Sequence, residues 1–174
     1  MKRAQSAFSL IELMTAITVL AVLLAMTVPR FREFTRNNRV TAAHNDLVTA
    51  FTLARSEALK RATPVSVCAS SNGTSCTGGN DWALGWIVFT DVGGTAGSVD
   101  TSDGDAVLQT WPAINSDMTL AGSVAFVQYT ATGMVATASA TTFDAYPTDC
   151  HGTALRRLSV SAIGAATGTA QSCP

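Results

Sequence analysis

The pattern of apolar and polar positions changes twice along this chain. From Phe8 to Val28 there are 21 residues whose only ionisable side chain is Glu12. A run of that length can cross the hydrocarbon core of a bilayer as a helix. Beyond Pro29, apolar residues recur at Val40, Ala43, Leu47, Ala50, Phe51, Ala54 and Ala58, the spacing of a helix with one apolar stripe. The two stretches together predict one helix over residues 8–61, about 80 Å long at 1.5 Å per residue. A bend is expected at Pro29, which lacks the N–H that would bond back to Ala25, and Pro64 ends the helix.

After Pro64 the pattern becomes short β-rich pieces: P-V-S-V-C-A, A-L-G-W-I-V-F-T, D-A-V-L-Q-T-W, S-V-A-F-V-Q-Y, M-V-A-T and L-R-R-L-S-V-S-A. Turn signals separate them. S-S-N-G-T-S, between Cys68 and Cys76, reads as a disulfide-closed turn, and T-A-T-G, between Tyr129 and Met134, as a hairpin tip. The expected fold class is α+β: a long N-terminal helix, half apolar and half amphipathic, packed on a small antiparallel β-domain. At 174 residues the chain has room for one span and one such domain.

Charge is unevenly distributed. Residues 30–61 carry seven Arg/Lys against three Asp/Glu, whereas Ala62 to Leu155 holds eight Asp and no Lys or Arg. The body is therefore not a generally basic, nucleic-acid-seeking domain. Cys68, Cys76, Cys150 and Cys173 match no compact zinc pattern. Two disulfides are the better reading, and they imply an oxidising compartment. Three pairings are possible; the sequence-local one, 68 with 76 and 150 with 173, would staple one loop and the C-terminal tail.

No candidate metal or catalytic centre emerges. His44 lies alone on a helix and reads as a surface residue. The aspartates of V-D-T-S-D-G-D, residues 99–105, miss the positions of a calcium-binding EF-hand loop and read as a solvated hairpin loop. Asn72-Gly73-Thr74 matches a glycosylation sequon and serves equally as a turn. There is no G-x-S-x-G elbow and no phosphate-binding glycine loop. No cofactor is expected, and an enzyme is the weakest reading.

The N-terminus needs its own explanation. A secretory signal has a shorter apolar region and a small-residue cleavage site after it, whereas this run ends in Thr27-Val28-Pro29-Arg30. An ordinary anchor leaves Glu12 unexplained, since an acid within a span costs roughly 2.5–3.5 kcal/mol at its centre. A cut between Ala7 and Phe8, where the basic leader M-K-R-A-Q-S-A meets the apolar run, would create an α-amine four residues before Glu12. An amine and a carboxylate could then neutralise one another.

A short basic leader, a cut before Phe and a Glu as fifth mature residue of an apolar helix resemble the signature of type IV pilins and type II secretion pseudopilins. Ala7 stands where the family usually has Gly. The resemblance implies cleavage between Ala7 and Phe8 by a prepilin peptidase, methylation of the Phe8 amine, and pairing of Glu12 with the terminal amine of a neighbouring subunit. It also implies a leader at 1–7, a transmembrane and filament-core helix at 8–28, its amphipathic continuation at 29–61 and a periplasmic β-rich domain at 62–174. The arginines at 30, 32, 36 and 39 outnumber Lys2 and Arg3, so the positive-inside count points the other way. The cysteines outweigh it and put the body in the periplasm, with the chain in the bacterial inner membrane before assembly.

R-S-E-A-L-K-R at 55–61, V-S-V-C and D-W-A-L-G-W-I-V-F-T-D at 81–91, read as a strand with Trp82, Gly85, Trp86, Phe89 and Asp91, narrow the resemblance to the GspH/FimT/FimU branch. The implied function is that of a minor pilin at or near the tip of a type IV pilus, with other major and minor pilins as partners. A pseudopilin of type II secretion is the alternative. A third reading is DNA capture, because some FimT-type proteins bind DNA through arginines of the C-terminal tail. Here no Lys or Arg follows Arg157, so phosphate-neutralising residues are missing from the matching place, and only Arg156 and Arg157 remain.

Overall fold

A computed structural model describes residues 9–136 and 140–174, with side chains throughout except at 26 and 28–30. Helix α1 spans Leu10–Arg61. The chain divides into two compact units, one up to Asn38 and the other Arg39–Pro174.

In the second unit, eight strands form two antiparallel sheets. β1 (Val65–Ala69), β2 (Trp86–Thr90), β3 (Val107–Trp111) and β5 (Phe126–Tyr129) lie in the order β3-β2-β1-β5. β4 (Met118–Gly122), β6 (Thr141–Pro147), β7 (Leu155–Val160) and β8 (Ala166–Gln171) lie in the order β4-β6-β7-β8. Both sheets and the outer half of α1 share one core. All seven stripe residues, Val40 to Ala58, are buried in it beside Val67, Leu120, Phe143 and Leu158.

β1 and β2 are buried at every position, which needs both faces covered. Trp86 and Val88 face the helix-side core, while Ile87, Phe89 and Cys68 form a second cluster with Val99, Val107 and Phe126 around them. The cover over that second face is the loop between β2 and β3. The buried Asp91 carboxylate accepts from Ser66 Oγ (2.5 Å), Gln128 Nε2 (2.8 Å) and Gly97 N (2.9 Å), drawing the loop onto β1 and β5. Asp105, also buried, accepts from Val92 N (2.8 Å) and Asp100 N (2.9 Å). The expectation of a solvated loop over 99–105 therefore fails for Asp105, and both the Asp91 and Asp105 carboxylates are enclosed. Their charge is compatible with burial because backbone N–H groups are supplied to it.

The segment D-W-A-L-G-W also differs from the strand expected over 81–91. Trp82–Leu84 is a 3₁₀ turn, capped by the Asp81 carboxylate on Ala83 N (3.0 Å) and closed by Gly85 at φ 107°. A Cβ at Gly85 would meet the Trp111 carbonyl oxygen at 2.6 Å, so glycine is required there. The turn tips Trp82 into the core, where its Nε1 donates to Val124 O (3.0 Å) and its ring meets Phe143 edge-on at 4.8 Å.

M-V-A-T forms no strand among the described residues; Val135 makes a single bridge to Tyr129. β4, β6 and β8 were not among the expected strands. His44 is half-buried rather than a surface residue: its Nε2 is buried without a hydrogen-bond partner, and a Cβ at Gly168 would lie 2.5 Å from its Cε1. Asn72 holds its turn together, accepting from Thr74 N and Ser75 N (both 2.9 Å) and donating to Ser75 Oγ (2.8 Å).

Candidate assembly site

From Leu10 on, the described residues of the first unit are helix, and their apolar side chains point in every direction. Leu10, Ile11, Leu13, Ile17, Val19 and Leu23 are each more than half exposed. A helix apolar all round belongs in an apolar medium, and each such side chain is worth about 1.5–3 kcal/mol when removed from water. Polar groups along it are satisfied internally: Thr15 Oγ1 donates to Glu12 O (2.9 Å), Thr18 to Thr15 O (2.8 Å) and Thr27 to Leu23 O (2.8 Å). Among the described residues of this run, Glu12 is left as the ionisable group.

Glu12 sits in the first turn of α1, and its backbone N–H donates to Ser9 Oγ at 3.3 Å. Ser9 is thus the N-cap, and Ser9-Leu10-Ile11-Glu12 has the S-x-x-E spacing of a capping box. A carboxylate at this end also meets the positive pole of the helix. The sequence reading passed over Ser9, although Ser-x-x-Glu before an apolar run was there to be read. Ala7 and Phe8, the expected processing residues, lie outside the described residues. Among the described residues no helix is long and apolar enough to cross a membrane. The run read from Phe8 to Val28 extends at both ends into residues whose side chains are not described.

In the body, disulfides join Cys68 to Cys76 and Cys150 to Cys173, each with Cα atoms 5.6 Å apart. The first closes the turn after β1, and the second ties the tail beyond β8 to the β6–β7 connection. Arg157 donates from Nε and Nη2 to the two carboxylate oxygens of Asp144, at 2.7 and 2.6 Å. These hydrogen bonds raise the Arg157 pKa. Arg156 Nη1 donates to Thr153 O at 3.1 Å. Of the two arginines a DNA backbone would need, one is already committed to a carboxylate.

Tyr129 is fully buried, and its hydroxyl has no hydrogen-bond partner. Burial pushes its pKa up from 10.0, more than the Arg55 cation draws it down. The fold thus disfavours the phenolate, so stability is fully present below pH 10 and falls as pH rises beyond it. Tyr129→Phe removes both the unpaired hydroxyl and this titration. Thermal unfolding of the variant is expected about 3 °C higher at neutral pH, with a shallower loss of stability in alkali; a lowered midpoint at neutral pH contradicts the assignment.

A long helix whose amphipathic half lies against antiparallel sheets is the type IV pilin fold. Two crystal structures of the type IV minor pilin FimU from Pseudomonas aeruginosa PAO1 share it. One, in space group P21, is 23% identical, covers 81% of this chain and 99% of its own, and has a TM-score of 0.61. The other, in P65, is 23% identical over 77% of this chain and 99% of its own, with a TM-score of 0.58. Residues 43–164 match the family described as type II transport protein GspH, and residues 2–28 match the prokaryotic N-terminal methylation motif. The chain belongs to the GspH family of pilin-like proteins. Comparison with curated proteins returns no match.

Proposed function

We propose that this chain is a minor pilin, inserted at or near the tip of a type IV pilus after cleavage between Ala7 and Phe8 and methylation of the Phe8 amine. Residues 1–7 are the leader, 8–28 span the inner membrane before assembly and form the filament core after it, 29–61 continue the helix, and 62–174 form the periplasmic body. The role is structural rather than catalytic. Major and minor pilins are the partners, together with the prepilin peptidase that processes the chain.

The observation that carries this reading is one carboxylate at the start of a helix that exposes apolar side chains on every face. Burying the run in lipid outweighs a penalty of roughly 2.5–3.5 kcal/mol for one acid, so Glu12 is tolerated there. Its purpose is to meet the cationic amine of a neighbour's Phe8, a charge-assisted contact in a medium of low dielectric. Such an assembly is heterologous and does not close on itself.

Glu12→Ala and Glu12→Gln are both expected to leave membrane levels unchanged and to lower recovery in sheared filaments roughly tenfold, the effect of about 1.4 kcal/mol. Undiminished recovery of both variants would leave the carboxylate with its local role at the helix N-terminus and would refute the pairing. Mass spectrometry of the mature N-terminus tests the cut independently, with N-methylphenylalanine from Phe8 as the expected first residue. The second reading, a pseudopilin of type II secretion, draws support from the family match. It shares the processing and the Glu12 pairing, and the filament from which the protein is recovered separates the two.

A further inference from the structure

Helix α1 does not end with the apolar run; it continues without a break through R-F-R-E-F-T-R-N-N-R at 30–39. These ten residues hold four Arg, one Glu and two Phe, a net of +3. The positive-inside count runs against the orientation that the cysteines imply, so the arginines need a reason other than topology. The two phenyl rings need one as well. Phe31 and Phe34 are 66% and 60% exposed, and at i,i+3 they share one side of the helix. Arg32 and Arg36, at i,i+4, share another. Arg32 is exposed and makes no hydrogen bond or ion pair among the described residues.

What surrounds these side chains follows from where the helix puts them. At 1.5 Å per residue, Phe31, Arg32, Phe34 and Arg36 lie between about 5 and 12 Å along the axis beyond Val28. The headgroup layer of a bilayer reaches about 5–8 Å beyond the hydrocarbon core on each side. Whenever residues 8–28 span the membrane, the segment therefore stands in or just above that layer. The body takes over immediately after it: Arg39 Nη1 donates to Asp117 Oδ2 at 3.3 Å, and Val40 is the first buried residue of the stripe. The chemistry matches the place. An aromatic ring is favoured at the membrane–water boundary, and an arginine there lays its stem along the apolar layer with its guanidinium outward. The guanidinium fork binds phosphate oxygens in pairs, and net positive charge beside a span is attracted to anionic lipid over about a Debye length.

We infer that Phe31, Arg32 and Phe34, with the charge of Arg36, form an interfacial collar that binds anionic phospholipid headgroups on the side of the body. The collar fixes the depth at which the apolar run lies before assembly. The inference rests on one part of the reading above, that residues 8–28 span a membrane, and uses neither the cut before Phe8 nor the Glu12 pairing.

The test uses the full-length protein in vesicles of equimolar phosphatidylglycerol and phosphatidylcholine, with p-benzoylphenylalanine in place of Leu20, Phe31 or Phe34. Irradiation at 31 and 34 is expected to give lipid adducts, identified by mass, with phosphatidylglycerol favoured roughly fivefold. In the Arg32→Gln/Arg36→Gln background, and in about 1 M salt where charges act over only about 3 Å, that preference should fall toward one while the adducts persist. The probe at 20 should give lipid adducts without preference, and one at the exposed Thr95 of the β2–β3 loop should give none. Lipid adducts at 20 with none at 31 and 34, adducts at 31 and 34 to a second copy of the chain instead of lipid, or a phosphatidylglycerol preference unchanged in the double variant would each overturn the collar. Absence of lipid adducts at 20 as well would remove the membrane-spanning reading itself, and the collar with it.

Discussion

Replacing Trp82 by alanine is expected to lower the melting temperature of the body by roughly 10–20 °C, the effect of about 4 kcal/mol on a domain of this size. The indole is wholly buried between the helix and the second sheet, against Phe143 at 4.8 Å and Phe51 at 6.2 Å. Truncation leaves a cavity that cannot collapse easily, since the surrounding residues come from α1, β4 and β6, each fixed by its own pairing. It also strips the Val124 carbonyl of the 3.0 Å hydrogen bond from Nε1. Against a total stability of about 5–15 kcal/mol for a typical domain, such a loss threatens folding altogether. Thermal unfolding followed by near-ultraviolet circular dichroism on the full-length protein in detergent gives the measurement. A shift under about 5 °C would mean that Trp82 is peripheral to the core.

The second large effect comes from the tail. Cys150 and Cys173 are 23 residues apart, and closing a loop of that length stabilises by about 3 kcal/mol in the chain-entropy account. The loop contains β7 and β8. β8 is largely exposed, and its ladder runs to β7 from Leu155↔Gln171 to Val160↔Ala166. The bond therefore does more than restrict the unfolded chain: it keeps the outermost strand on the sheet. In the Cys150→Ser/Cys173→Ser variant, a drop of about 10 °C in melting temperature is expected. Amide exchange should accelerate most in Ala166–Gln171. Exchange in β8 that matches the parent protein would argue that pairing with β7 is sufficient without the covalent tie.

How much of this was legible beforehand depends on whether the signal was local. The apolar stripe from Val40 to Ala58 follows from helical spacing, and all seven positions are buried. β1, β3 and β7 were visible as runs of β-branched or large apolar residues. β6 was not, because T-T-F-D-A-Y-P mixes small residues with an acid and ends in proline. Its inward positions are Thr141, Phe143, Ala145 and Pro147, and Asp144 is tolerated because its register partner across the sheet is Arg157. β8 has no apolar alternation at all; its pairing with β7 is what makes A-T-G-T-A-Q a strand.

The misreading of Trp82 as a strand residue had a local remedy. An Asp before the tryptophan and a Gly three residues after it are turn chemistry. At the candidate site, Ser9 was legible as a cap from its spacing to Glu12. Asp105 read as solvent-facing with the rest of 99–105 because burial of a carboxylate depends on donors, here Val92 N and Asp100 N, that only the folded loop brings to it.

Thr15, Thr18 and Thr27 close their hydroxyls on the helix's own carbonyls. A segment wired in this way can exchange one oily environment for another without breaking or remaking a single one of these bonds. In the proposed assembly, leaving lipid for a bundle of sister helices carries no polar toll at these three hydroxyls, and among the described residues of the run the group obliged to find a new companion on arrival is the acid at its tip.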